Sequence, residues 1–154
     1  MIALMQRVSS SSVTVDGEKI AEIGQGLMIL VAVEKADQAA AAEKLAEKLL
    51  RYRVFADSEG KMNLSVLDIR GQVLLVPQFT LAADTEKGLR PSFSSAADPQ
   101  QGRALFGQLV DIMRDKGASI CSGLSPDWLQ TGRFGADMAV ALVNDGPVTF
   151  RLAV

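Results

Sequence analysis

Histidine is missing altogether from the 154 residues. Its absence removes the Ser-His, Cys-His and Thr-His nucleophile pairs, and with them the usual general base near neutral pH. Cysteine occurs once, as Cys121, so no intrachain disulfide forms. Without histidine, a zinc site built from cysteine and histidine clusters has no ligand set. Neither a metal nor an organic cofactor is expected. Aromatic residues make up only 5% of the chain, so its core is mostly aliphatic. No apolar run approaches the roughly 18 residues of a membrane-spanning helix. The stretch Met1 to Met5 is too short for a signal peptide and lacks a basic leader. A soluble, cytoplasmic protein is expected. An excess of positive charge is lacking too: 16 basic residues face 18 acidic ones, a formal net charge of −2. Broad electrostatic capture of nucleic acid usually needs a basic domain, so an RNA ligand would be gripped over a small part, such as one end.

What is present suits one globular domain over residues 1–154, since 48% of the chain is hydrophobic. Ile2 to Val8 reads as a strand ending in a serine cluster, and Asp16-Gly17 as a hairpin turn between Val13–Val15 and Glu18–Ile23. Gly26 to Val33 is almost unbroken apolar sequence, as in a strand covered on both faces. Asp37 is placed to cap a first helix whose apolar face is Ala42, Leu45, Ala46, Leu49 and Leu50. The opposite face carries Glu43, Lys44, Glu47, Lys48 and Arg51, which reads as a solvated surface. Val54-Phe55 and Lys61 to Leu67 flank a turn at Asp57 to Gly60. Val73 to Phe79 is a strand that delivers Thr80 at its end, and Thr85 to Pro91, with Lys87 and Arg90, is a polar loop. Asp98-Pro99 starts a second helix, with a stripe through Leu105, Phe106, Leu109, Val110, Ile112 and Met113 and an expected stop at Lys116-Gly117. Ser119 to Gln130, with the lone tryptophan Trp128, reads as a local cover. Asp137 to Val143 and Val148 to Leu152 are the last strands. Many strands with two good helices argue for an α+β fold rather than a parallel doubly wound sheet.

Between those last strands stands Asn144-Asp145-Gly146-Pro147-Val148-Thr149. Asp-Gly is a hairpin signal, yet proline follows and removes a backbone donor. Either this is a Gly-Pro turn with an ordinary trans bond, or the Gly146 and Pro147 carbonyls are aimed at a ligand. A second stretch, Pro77-Gln78-Phe79-Thr80-Leu81, ends an apolar run. Together these two segments resemble the Asn-Xaa-Gly-Pro-Xaa-Thr and Ser-Gln-Phe-Thr-Leu motifs of the D-aminoacyl-tRNA deacylase family. Gln6-Arg7-Val8, Val13 to Gly17, Gly60 to Ser65, Arg90 to Ser94 and Thr131 to Met138 extend the resemblance, in order, over nearly the whole chain.

The resemblance implies an antiparallel β-barrel or sandwich with the two helices packed outside, and hydrolysis of the ester of D-aminoacyl-tRNA. It implies a homodimer with its sites at the interface, a tRNA 3′ end as partner, and no role for DNA or membrane. It further implies a cis Gly146-Pro147 bond whose carbonyls enter the partner's pocket as a chiral gate, with Arg7 steadying that motif. Arg7 has a plainer reading as a salt bridge at the end of the first strand. Such a gate works by excluding L side chains, so glycyl-tRNA, including glycine mischarged on tRNA(Ala), could also enter.

A chain without histidine is compatible with that chemistry. The ribose hydroxyl beside an aminoacyl ester lies within reach of its carbonyl, and well-oriented intramolecular groups reach effective molarities of ~10⁵–10⁸ M. The enzyme then needs donors for a developing oxyanion more than a base. The amides of Phe79 and Thr80, beside Gln78, are the candidates. Thr80 could instead be a nucleophile, though a threonine hydroxyl without an activating base is weak. Pro77 departs from the family serine and loses a hydroxyl and a donor. It lends some support to a catalytically silent RNA-end or protein-binding module, and an esterase of small D-amino-acid derivatives is a further alternative.

Overall fold

A computed structural model describes residues 1–86 and 88–154. Lys87, expected in a polar loop, lies outside the described residues. Eight strands and two helices follow in the order β1 (Ile2–Val15), β2 (Glu18–Ile23), β3 (Gly26–Ala32), α1 (Ala39–Arg51), β4 (Phe55–Ala56), β5 (Met62–Leu64), β6 (Gln72–Pro77), α2 (Pro99–Ile120), β7 (Leu129–Thr131) and β8 (Ala139–Ala153). A 3-10 helix, Phe79–Ala82, separates β6 from α2.

The sheet is organised on β1. One edge of β1 pairs with β3 through Ile2–Val8 and with β2 through Ser11–Val15, and the other edge carries β8 along most of its length. All three pairings are antiparallel, and the order continues through β6 to β7. The α+β class with a barrel-like sheet and two helices is therefore the observed one. Within it, β3–β6 and β6–β7 are parallel, so the sheet is mixed where the resemblance implied an antiparallel one.

Alternation along β3 explains where the helices sit. Leu27, Ile29 and Val31 share a core with Ala42, Leu45 and Leu49 of α1 and with Leu105, Leu109 and Met113 of α2. Met28, on the other face, joins Val8, Val13, Leu74 and Val76 in a second core. Against that second core pack residues that are themselves half-buried, Ile20, Leu30, Ala136, Met138, Val140 and Leu142. The strand is thus covered on both faces, one of them incompletely within this chain.

Several local signals act as read. Asp16 and Gly17 take φ of 52° and 81° in a tight hairpin turn joining Val15 to Glu18. Asp98 accepts from the Gln100 and Gln101 amides at 2.9 and 3.1 Å, with Pro99 at the first helical position. Asp57 accepts from the Glu59 and Lys61 amides and from Asn63 Nδ2, and these donors, Asn63 foremost, hold its carboxyl below the usual range.

Others are corrected. The serine cluster does not end the first strand, because Ser11 is buried and its hydroxyl donates to the Ala141 carbonyl at 2.8 Å. Asp37 does not cap α1. The cap is Gln38, since Asp37 already accepts from the Glu34 amide at 2.6 Å. Gly117 does not stop α2, which runs on to Ile120. Glycine is needed there for space: a Cβ would lie 2.4 Å from the Trp128 ring. The expected cover over 119–130 is real in that Trp128 is buried, though the segment also supplies the end of α2 and the start of β7. Strand β6 stops at Pro77, short of Phe79. Finally, residues 139–153 are one strand with no hairpin at Asn144 to Pro147.

Candidate active site

Strand β6 carries the first motif to its place. Pro77 is level with Val31 of β3, and the Gln78 amide donates to the Val31 carbonyl at 2.7 Å. The chain then turns into the 3-10 helix, whose first closing bond runs from the Leu81 amide to the Gln78 carbonyl at 3.2 Å. The amides of Phe79 and Thr80 precede that bond, and the opening donors of any helix lack a partner inside it. Beside them, Gln78 Nε2 donates to Thr80 Oγ1 at 2.5 Å.

Two cavities flank this segment. One, of about 400 Å³, is walled by Val33, Phe79, Phe93, Phe106 and Phe134. Phe79 is 60% exposed at its mouth and tilts against Phe93, with ring centroids 5.2 Å apart. On its far wall Phe134 is held by Arg103, which lies 5.1 Å from the ring centroid and donates to the Phe134 carbonyl at 3.3 Å. The other cavity, about 300 Å³, lies between Phe79, Asp137, Met138 and Val140. Sequence reasoning missed the walls formed by Phe93 and Phe134, although both stand inside the quoted blocks.

Pro77 is tolerated for a visible reason. In a strand, alternate backbone groups point to opposite edges. Gln78 donates towards β3, so the donor missing at Pro77 belongs to the β7 edge. There the last rung is the bond from the Gly132 amide to the Leu75 carbonyl at 2.8 Å, and β7 stops at Thr131, so the proline falls at the first rung beyond the ladder. Pro77→Ser is therefore expected to keep activity at or above that of the parent, and a loss of more than about tenfold, or about 1.4 kcal/mol, in kcat/KM would show dependence on the proline.

The second motif is assembled elsewhere. Asn144 is level with Val8 and Thr149 with Gln6, so Asp145 to Val148 bulge out opposite Arg7 alone. Arg7 Nε donates to the Asp145 carbonyl at 2.9 Å and approaches its carboxylate at 3.2 Å, while Nη1 donates to the Val54 carbonyl at 2.7 Å. Arg7, inside β1 rather than at its end, thus bonds both the backbone and the carboxylate of Asp145. The Gly146-Pro147 bond is cis, and both residues are exposed. Among the described residues no side chain donates to either carbonyl.

One chain does not bring the two motifs together. Arg7 is level with Leu27, and Leu27 with Val73 of β6; Pro77 lies four residues further along, about 13 Å away in strand direction alone.

The family model for D-Tyr-tRNA(Tyr) deacylase matches residues 4–153. The chain belongs to the D-Tyr-tRNA(Tyr) deacylase family. Relatives named D-aminoacyl-tRNA deacylase from Alteromonas mediterranea and Shewanella piezotolerans are 53% and 54% identical to it, each over the full length of both chains. One from Escherichia coli is 54% identical over the same span. Among solved structures, the c-Myc DNA Unwinding Element Binding Protein superposes with a TM-score of 0.91 at 36% identity, covering 100% of this chain and 99% of its own. A probable eukaryotic D-amino acid tRNA deacylase gives 0.84 at 17% identity, over 99% and 98% of the two chains, a likeness of fold. Members of this deacylase family are hydrolases, and this chain carries the family's fold.

Proposed function

We propose that the chain hydrolyses the ester of D-aminoacyl-tRNA in the cytoplasm, releasing free tRNA and a D-amino acid. The observation that carries this is the pair of amides at Phe79 and Thr80, which have no partner among the described residues, in a segment whose Phe79 lines a phenylalanine-walled cavity. The cavity's size and flat aromatic walls suit the terminal adenosine, whose base can stack on them. The ester carbonyl then falls beside the two amides. Water attacks the carbonyl carbon, oriented by the neighbouring 2′-hydroxyl. The oxyanion that forms accepts hydrogen bonds from Phe79 and Thr80, after which the C–O bond to the ribose breaks and the ribose oxygen takes up a proton. One such donor is commonly worth 10²–10³ in kcat, about 2.7–4 kcal/mol.

Selectivity is assigned to Gly146 and Pro147 of a second copy. Their carbonyls receive the substrate's α-ammonium and leave no room for an L side chain. Glycine has no side chain to exclude, so glycyl-tRNA(Ala) passes the same test. The separation of the two motifs within one chain supports a shared site, and the half-covered second core supplies apolar surface for the contact. A homodimer is expected at assay concentration; light scattering that found a fully active monomer would rule it out.

The deciding assay compares D-Tyr-tRNA, L-Tyr-tRNA and a free D-tyrosine ester. Cleavage of the first alone is expected. Cleavage of the free ester at a similar rate would move the reading to a small-molecule esterase, and no cleavage at micromolar enzyme to a binding module. Pro77 lends that last reading no support, because its missing donor falls where the ladder has ended. Thr80→Ala is expected to retain activity within about tenfold, since the proposed contribution is the backbone amide. A fall of about 10⁴ would make the hydroxyl a nucleophile.

A further inference from the structure

We propose that Asn144 and Thr149 are positioning residues that clasp the neck of the bulge and thereby fix the direction of the Gly146 and Pro147 carbonyls. The inference rests on the gate reading above. It starts from a mismatch in the sheet: a single residue of β1, Arg7, faces four of β8, so Asp145 to Val148 lose their cross-strand partners. A bulge of that size should be soft unless something replaces the lost ladder bonds.

Asn144 replaces them with its side chain. The Val148 side chain is buried in the main core, so its amide needs a partner. Asn144 Oδ1 accepts from that amide at 2.8 Å. This assignment leaves Nδ2 as a donor, and it reaches Thr149 Oγ1 at 3.1 Å and the Val148 carbonyl at 3.4 Å. Thr149 Oγ1 also accepts from Gln6 Nε2 at 3.2 Å, tying the neck to β1. One amide thus spans the bulge from its first flanking residue to its last, Val148 pins it in the core, and Arg7 holds the Asp145 carbonyl. The two carbonyls assigned to the substrate lie outside this set of bonds. Neither Asn144 nor Thr149 needs to touch the ligand; they decide where the gate points.

The test is a set of five proteins assayed for kcat/KM on D-Tyr-tRNA and L-Tyr-tRNA, with melting temperatures alongside: the parent, Asn144→Ala, Thr149→Val, Thr149→Ser and Gly146→Ala. Loss of one hydrogen bond corresponds to about fivefold, so Thr149→Val is expected to lower the D-over-L ratio by about that factor and Asn144→Ala by more. Thr149→Ser, which keeps the hydroxyl, is expected to stay within about twofold of the parent. If Gly146→Ala shifts the ratio while Asn144→Ala and Thr149→Val leave it unchanged, the clasp is overturned and the gate stands. An unchanged ratio in Gly146→Ala removes the gate and the clasp with it. Equal falls in D and L rates, with a lowered melting temperature, would reduce both residues to ordinary structural support and also overturn the proposal. Should Asn144→Ala fail to fold, the Thr149→Val and Thr149→Ser pair decides alone, because Thr149 is exposed.

Discussion

Gly146→Ala is expected to lower the D-over-L ratio at least about tenfold, through both slower D hydrolysis and leakage of L substrate. Gly146 holds φ at 148°, a region that L side chains rarely enter. A Cβ there would also lie 2.6 Å from Val148 Cγ2 and 2.8 Å from the Val148 amide nitrogen. Val148 is planted in the core and its amide is bound by Asn144, so the new methyl cannot simply push it aside. The exposed part of the loop must turn instead, and it carries the two carbonyls. Backbone strain of this kind costs about 1–3 kcal/mol, which an exposed loop relieves by moving. Global stability should therefore change little while selectivity changes much. Initial rates on the two charged tRNAs, with a urea unfolding curve, separate these effects. An unaltered ratio at parental stability would remove Gly146 from the discrimination step.

Gly26→Ala is expected to be the more damaging substitution for the fold, costing about 3 kcal/mol or more, at or beyond the upper end of typical overpacking. Gly26 opens β3 where it meets β6, level with Gln72. A Cβ would sit 1.8 Å from the Gln72 carbonyl oxygen and within 2.8 Å of its carbonyl carbon and amide nitrogen. All three atoms are backbone and have no rotamer to escape into, so the two strands must separate. Total stabilities of domains run at about 5–15 kcal/mol, so such a loss should show as a sharply lowered urea midpoint or as insoluble protein. Gly107→Ala is the control: it lies within α2 with nothing within 4 Å of the added methyl, and it should be neutral or slightly stabilising. Similar midpoints for the two variants would refute the steric account of Gly26.

The contrast between these glycines marks the boundary of what the chain order reveals. Asp16-Gly17 and Asp98-Pro99 were legible because a turn or a cap is decided by adjacent residues. Gly117 looked like a helix stop for the same local reason, and was misread because the deciding partner, Trp128, arrives from a separate segment. Asp37 was misread alike, its carboxylate being taken by the Glu34 amide before it could cap the helix. The break between β8's two halves seemed natural at Asn144 to Pro147, yet β1 runs straight past it and carries the strand through. Gln78, Phe79 and Thr80 stand together in the sequence and open one 3-10 turn in the structure. The cavity wall was not legible, because Val33, Phe93, Phe106 and Phe134 come from separate stretches that only the fold assembles.

The close seat of Trp128 on α2 has a practical side. The chain has one tryptophan, and it is 5% exposed, with its ring pressed to the bare backbone at Gly117. Its carbonyl also accepts from the Val73 amide at 2.6 Å, at the root of the strand that leads to the Phe79-Thr80 segment. The indole is thus a built-in fluorophore at the joint between the second helix and β6. Its emission reports whether that joint is closed, without any label and without a competing indole elsewhere. For a protein whose selectivity is assigned to a loop on a different strand, such a signal distinguishes a variant that has lost its aim from one that has lost its frame.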